Sequence, residues 1–259
     1  MNESFSNRTI NYEQPLNERM RTFLRYEQLT HRYEFFAKQE RPFDTHGALL
    51  TLIEILNLVS RGDLKQELLK EIKRQINTLE QLANRPKVNT IKLNRVLSKH
   101  KSIFDALHAF QGQINDHLKK NVFINSIRQR ASIPGGTCDF DLPEYHNWLG
   151  QSYMQRKKAL KDWAAPFEIF QEGISQSLQL IRQSTQLKNN CAPKGFYSET
   201  LDSDRPSQLI RINVESTYFP ECSAGKQRFS IRFLEQTNLN LNPKQTDADV
   251  EFKLACCAF

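Results

Sequence analysis

The hydrophobic period changes once along this chain, near Leu187, and that change constrains the fold more than any motif. Before it, apolar residues recur at helical spacing. In GDLKQELLKEIKRQINTLEQL, Leu64, Leu68, Leu69, Ile72, Ile76, Leu79 and Leu82 fall close to every 3.6 residues. The polar face carries Lys65, Glu67, Lys70, Glu71, Lys73, Arg74 and Glu80. Asp63 can cap the start, and Pro86 lies just past the end. Similar patterns cover 17–36, 46–59, 89–99, 102–118 and 119–130, and a long one runs from Trp163 to Leu187.

After Leu187 the period is two. Ile210, Ile212 and Val214 share one face of a strand, as do Phe229, Ile231 and Phe233, and Val250, Phe252, Leu254 and Cys256. FPECSAGK, with its Pro and Gly, reads as a hairpin loop between the first two runs. Helices first and strands last predict an α+β protein: an N-terminal mostly helical domain followed by a C-terminal antiparallel β domain. The expected boundaries are a flexible N-terminus over 1–14 and a helical domain over 15–130, completed by a long helix within 150–187. The β domain covers 188–259, joined by a turn-strand segment at 131–147.

The other face of those strands carries Arg211, Arg228, Arg232 and Lys253. If the apolar face packs on helices, this one looks outward and is basic. Like charges across neighbouring strands repel, a local cost that fits an anionic partner as well as simple solubility. The whole chain agrees in sign: 36 Lys and Arg against 29 Asp and Glu leave +7, which favours nucleic acid, acidic lipid or an acidic protein surface without choosing among them. MNESFSNRTI lacks the apolar core of a secretory signal. The apolar run from Ala48 to Val59, broken by Glu54, is too short to span a bilayer. Five cysteines in no regular framework fit a reducing, cytoplasmic compartment.

One stretch invites a catalytic reading: RQRASIPGGTCDFDLPEYHNWL, residues 128–149. Pro134-Gly135 suits a type II turn. Cys138, Phe140 and Leu142 alternate as in a short buried strand. Asp141 and Glu144 resemble a capping box for a helix through Trp148. A Cys138 nucleophile with His146 as its base is conceivable, but the alternation buries Cys138 and no third, orienting group is visible. No P-loop, CxxC or HExxH occurs, and His31, His46, His100, His108, His117 and His146 show no paired ligand spacing. The residues assign no catalytic group, no metal and no cofactor; the expectation is a non-enzyme.

PLNERMRTFLRYEQL, RGDLKQELLKEIKRQ, RQRASIPGGTCDFDLPEYHNWL, LIRQS, GFY, GKQRFSIRF and the terminal FKLACC, in this order, resemble the ZapD family of bacterial cell-division proteins. The resemblance runs from about residue 14 to 257. It implies a cytoplasmic homodimer, recruited to mid-cell, that binds the C-terminal tail of FtsZ and bundles its protofilaments, promoting Z-ring assembly without catalysis. It also implies a positively charged contact surface spanning both domains. Motif by motif, that surface falls on Arg21, Arg25, Arg61, His146, Arg228 and Arg232. Arg128 and Arg130 sit in the same motif, with contact and structural roles equally open. The segments 108–121, which offers Lys119 and Lys120, and 234–251 depart from the family pattern. Neither nucleic-acid binding nor direct membrane insertion is expected. The competing reading is a nucleic-acid-binding module using the basic sheet face, against which stand the missing helix-turn-helix or RNP-like signature and the missing stacking aromatics.

Overall fold

The computed structural model describes all residues except 1–7, 61, 84, 85, 87, 112–115 and 226. The chain is α+β. It divides into a helical unit, Thr22–Ser177, and a β unit made of Leu178–Phe259 with the N-terminal residues up to Arg21.

The helices are α1 (Glu18–Ala37), α2 (Pro42–Val59), α3 (Leu64–Ala83), α4 (Thr90–Ala109), α5 (Asp116–Lys119), α6 (Val122–Arg130), α7 (Pro143–Leu149), α8 (Tyr153–Ala164) and α9 (Glu168–Gln183). Local chemistry sets their starts. Asn89 and Asn121 cap α4 and α6 by accepting from Lys92 N and Ile124 N, each at 3.0 Å. Ser152 and Gln155 close a reciprocal capping box on α8. The predicted apolar stripe on α3 is buried from Leu64 to Leu79, but Glu71, expected on the polar face, is buried with it and paired with Arg74 at 2.6 Å.

Two helical readings change. The patterns at 89–99 and 102–118 are not separate helices, because α4 runs unbroken from Thr90 to Ala109. Its inward stripe passes through His100, buried between Leu93 and Ile103, so a polar letter interrupts an otherwise continuous period. The pattern from Trp163 to Leu187 divides at Pro166, where Ala165–Phe167 tightens into a 3-10 turn before α9.

The β unit holds two antiparallel sheets. One has the order β1 (Thr9–Pro15), β4 (Leu209–Glu215), β8 (Val250–Cys257), β2 (Lys188–Ala192). The other has the order β3 (Phe196–Thr200), β6 (Arg228–Glu235), β5 (Phe219–Ala224), with the short β7 (Lys244–Gln245) also on β6. Their apolar faces pack on one another. Ile210, Ile212, Val214, Phe252 and Leu254 from the first share one core with Phe229, Ile231 and Phe233 from the second, and the Phe233 and Phe252 rings lie 4.8 Å apart. The chain passes from β2 to β3 through a tight corner at Lys194 and Gly195, both left-handed, with φ of 50° and 66°.

Several expectations are corrected here. Residues 9–14 of the expected flexible terminus belong to β1, which pairs with β4 along its whole length. FPECSAGK is mostly β5, not a loop; a Pro at its second position is tolerated on an edge strand. The segment 131–147 does not join the β unit. It lies in the helical unit, and Cys138–Leu142 is a run of turns rather than a strand.

Candidate functional site

Because the two sheets face each other, the four outward basic positions split between two opposed faces. On the first sheet, Arg211 is only partly exposed. It donates to Arg182 O at 3.0 Å and lies 3.5 Å from Glu13, which Arg182 grips through both carboxylate oxygens. Leu209, Ala255 and Cys257 on that face are buried. Lys253 is exposed there, opposite Asn213. Arg211 is therefore a structural cation.

The second sheet presents a different surface. Outward from β6 point Arg228, Ser230 and Arg232. Their cross-strand neighbours are Thr200, Ser198 and Phe196 on β3, and Ser223 and Glu221 on β5. A shallow concavity of about 430 Å³ is lined by Phe196, Ser198, Ser223, Gly225, Arg228, Phe229 and Ser230. A row of three serines thus crosses the sheet between two arginines. Arg228 is exposed and makes no ion pair among the described residues. Arg232 is paired with Glu221 at 2.5 Å. Sequence reasoning found both arginines by alternation. It missed Ser198, Ser223, Glu221 and the 45% exposed Phe196, since only strand register brings them beside β6. Phe196 next to Arg232 also puts one aromatic ring on the basic face, where none was expected.

The other expected positions fall as follows. Arg21 and Arg25 lie four apart on α1, opposite the buried stripe Met20, Phe23 and Tyr26. Arg25 is exposed, whereas Arg21 is half-exposed and paired with Glu18 one turn before it. His146 is exposed on α7, and Arg61 lies outside the described residues. Arg130 is paired with Asp141 at 2.5 Å, tying the end of α6 to the turn segment. The structure brings Arg228 and Arg232 together on one face and Arg21 and Arg25 on one helix.

Within 128–149, residues 131–142 form a run of turns that links α6 to α7. Gly135 takes φ +71°, and a side chain on Gly136 would meet Arg130 O at 2.7 Å. The expected capping box is absent: Leu142 is the N-cap, and Asp141 is turned to Arg130. The Cys138 thiol donates to Gly135 O at 2.6 Å, and Phe140, expected inward, is 81% exposed. Elsewhere burial, reinforced by the Glu221 charge, pushes the Cys222 thiol up to about 11, and burial pushes Cys256 up to about 12, so both stay protonated near neutral pH. Among the described residues no helix is long and apolar enough to cross a membrane.

The family described as ZapD, cell division protein, matches residues 24–232. The chain belongs to the ZapD family. Cell division protein ZapD of Ralstonia pickettii (strain 12J) is 39% identical over 253 residues, covering 96% of this chain and all of the relative. ZapD of Coxiella burnetii (strain RSA 493) is 38% identical over 252 residues, covering 96% of this chain and 98% of the relative. ZapD of Chromobacterium violaceum is 37% identical over 252 residues. Membership of ZapD gives this chain a role in cell division. Arg25, His146, Arg228 and Arg232 fall inside the family match, and Arg21 lies just ahead of it.

Proposed function

We propose that this chain is a non-catalytic cytoplasmic cross-linker that binds the C-terminal tail of FtsZ and, as a homodimer, holds protofilaments together at the mid-cell division site. The observation that carries this reading is the exposed Arg228, which lines a serine-rich concavity on the same sheet face as Arg232. A guanidinium with spare donors forms charge-assisted, often bidentate hydrogen bonds with carboxylates. The second sheet face is where a short acidic tail docks, and Arg21, Arg25, Arg61 and His146 are further contacts.

One such contact is weak, because exposed charges are well solvated. A filament presents many tails, and a two-fold dimer carries two copies of the site. The second engagement is then intramolecular, so effective concentration supplies the avidity. Bundling follows with no covalent step.

The test is co-sedimentation of FtsZ with GTP. Adding this protein increases the pelleted FtsZ, and raising salt from 0.05 to about 0.5 M removes the gain, as screening predicts. R228E/R232E abolishes the gain while circular dichroism stays unchanged. FtsZ lacking its tail does not respond. Normal bundling by the folded double variant refutes the site, and equal bundling of tail-less FtsZ refutes the partner segment.

A further inference from the structure

Arg228 and Arg232 lie four residues apart on β6, roughly 13 Å along the strand, yet they are not equivalent. Arg228 makes no ion pair among the described residues. Arg232 is held by Glu221, its direct cross-strand neighbour on β5, at 2.5 Å. Both members of this pair are more than half exposed, 56% and 53%. A pair so open to water is weak, and an incoming carboxylate can displace one partner.

We infer that Glu221 is a built-in competitor for the anionic ligand of this face, and that it sets the ligand class. It already offers Arg232 what an acidic ligand offers, so a single carboxylate engages Arg228 alone. Occupying both guanidinium groups requires evicting Glu221. The ligand that does so is an extended acidic peptide carrying two carboxylates on one side, four residues apart, because an extended chain repeats the same roughly 13 Å spacing. Between the arginines, the hydroxyls of Ser198, Ser230 and Ser223 can donate to and accept from the ligand's backbone. Phe196 flanks the Arg232 end with apolar surface. Rejecting weakly charged ligands through a resident like charge is specificity by repulsion, added to specificity by attraction. The simpler role of Glu221 is a charge that guards the β5 edge, and binding measurements separate the two.

This inference rests on the FtsZ-tail reading for its partner, although the Glu221 competition can fail separately. The measurement is fluorescence anisotropy of a labelled FtsZ C-terminal tail peptide against the full-length wild type, E221Q, R228Q, R232Q and E221Q/R232Q. E221Q removes the competing charge with little change of shape and is expected to tighten binding about 2- to 5-fold. Once Arg232 is gone, E221Q should add no more than the loss of one remote negative charge. Host peptides with one carboxylate, or with two at i and i+4, complete the test. The wild type should prefer the two-carboxylate peptide by a larger factor than E221Q does. A urea midpoint for E221Q matching the wild type confirms that folding is intact, and E221S is the second variant if it does not. If R228Q and R232Q weaken binding but neither Glu221 variant tightens it, the competitor role is overturned and the docking face stands. If R228Q and R232Q bind like the wild type, both are overturned.

Discussion

Arg182, in the last turn of α9, donates to both carboxylate oxygens of Glu13 on β1, at 2.8 and 2.7 Å. Arg211 on β4 completes the cluster from the next strand, 3.5 Å from the same carboxylate. The three side chains are only 22–27% exposed. A first strand that begins in polar sequence is thus fastened to the end of the last helix. E13Q should destabilise the protein by about 1–3 kcal/mol, because Arg182 and Arg211 then face each other without the carboxylate. Urea unfolding followed by circular dichroism measures it, and an unchanged midpoint contradicts this account of the first strand.

Gly195 is the narrowest point of the corner between β2 and β3. A Cβ there would lie 2.8 Å from Thr246 O and 3.1 Å from Phe233 O, on a backbone with φ +66°. Phe233 lies within β6 and Thr246 directly follows β7, and their backbone oxygens cannot swing aside as a side-chain tip can. G195A is expected to cost about 1–3 kcal/mol, read as a lower thermal midpoint.

Acid should weaken the helical unit. Burial lowers the pKa of His46, whose Nδ1 lies 2.7 Å from the Tyr145 hydroxyl. Burial also lowers that of His100, against an opposing hydrogen bond to Val96 O. A histidine with a depressed folded pKa is protonated first in the unfolded chain, whose value is about 6.5. Its contribution is therefore fully present above about pH 6.5 and is lost as the pH falls below it. Urea midpoints should be flat between pH 7.5 and 8.5 and decline toward pH 5.5, and H46Q or H100Q should flatten the decline.

Cys138 should be dispensable for partner binding. Its thiol is engaged with Gly135 O inside a turn. C138A is expected to leave FtsZ co-sedimentation within about 2-fold of the wild type, with at most about 1 kcal/mol lost for one hydrogen bond. A complete loss of bundling in a folded C138A protein would restore a functional role for this cysteine.

Much of the architecture was legible in the order of residues, because periodicity reports directly which side of an element is apolar. The stripe Leu64 to Leu79 on α3 and the alternations on β4, β6 and β8 depend only on helical and strand geometry, which covalent structure imposes locally. The same alternation turns Arg228 and Arg232 outward on β6. His100 shows its limit: a polar residue satisfied inside the core by Gln75 and Val96 O reads as a break in the period.

Pairing between distant segments was decided only in three dimensions. Ile210–Val214 and Phe229–Phe233 have the same pattern, yet they fall in opposing sheets that share one core. That placement put Arg211 and Arg228 on opposite faces. It brought Glu13, about 200 residues earlier, against Arg211 and set Glu221 across from Arg232. Alternation tells which way a side chain points, but not what waits there, since a neighbour on the next strand is chosen by the packing energy of the whole unit.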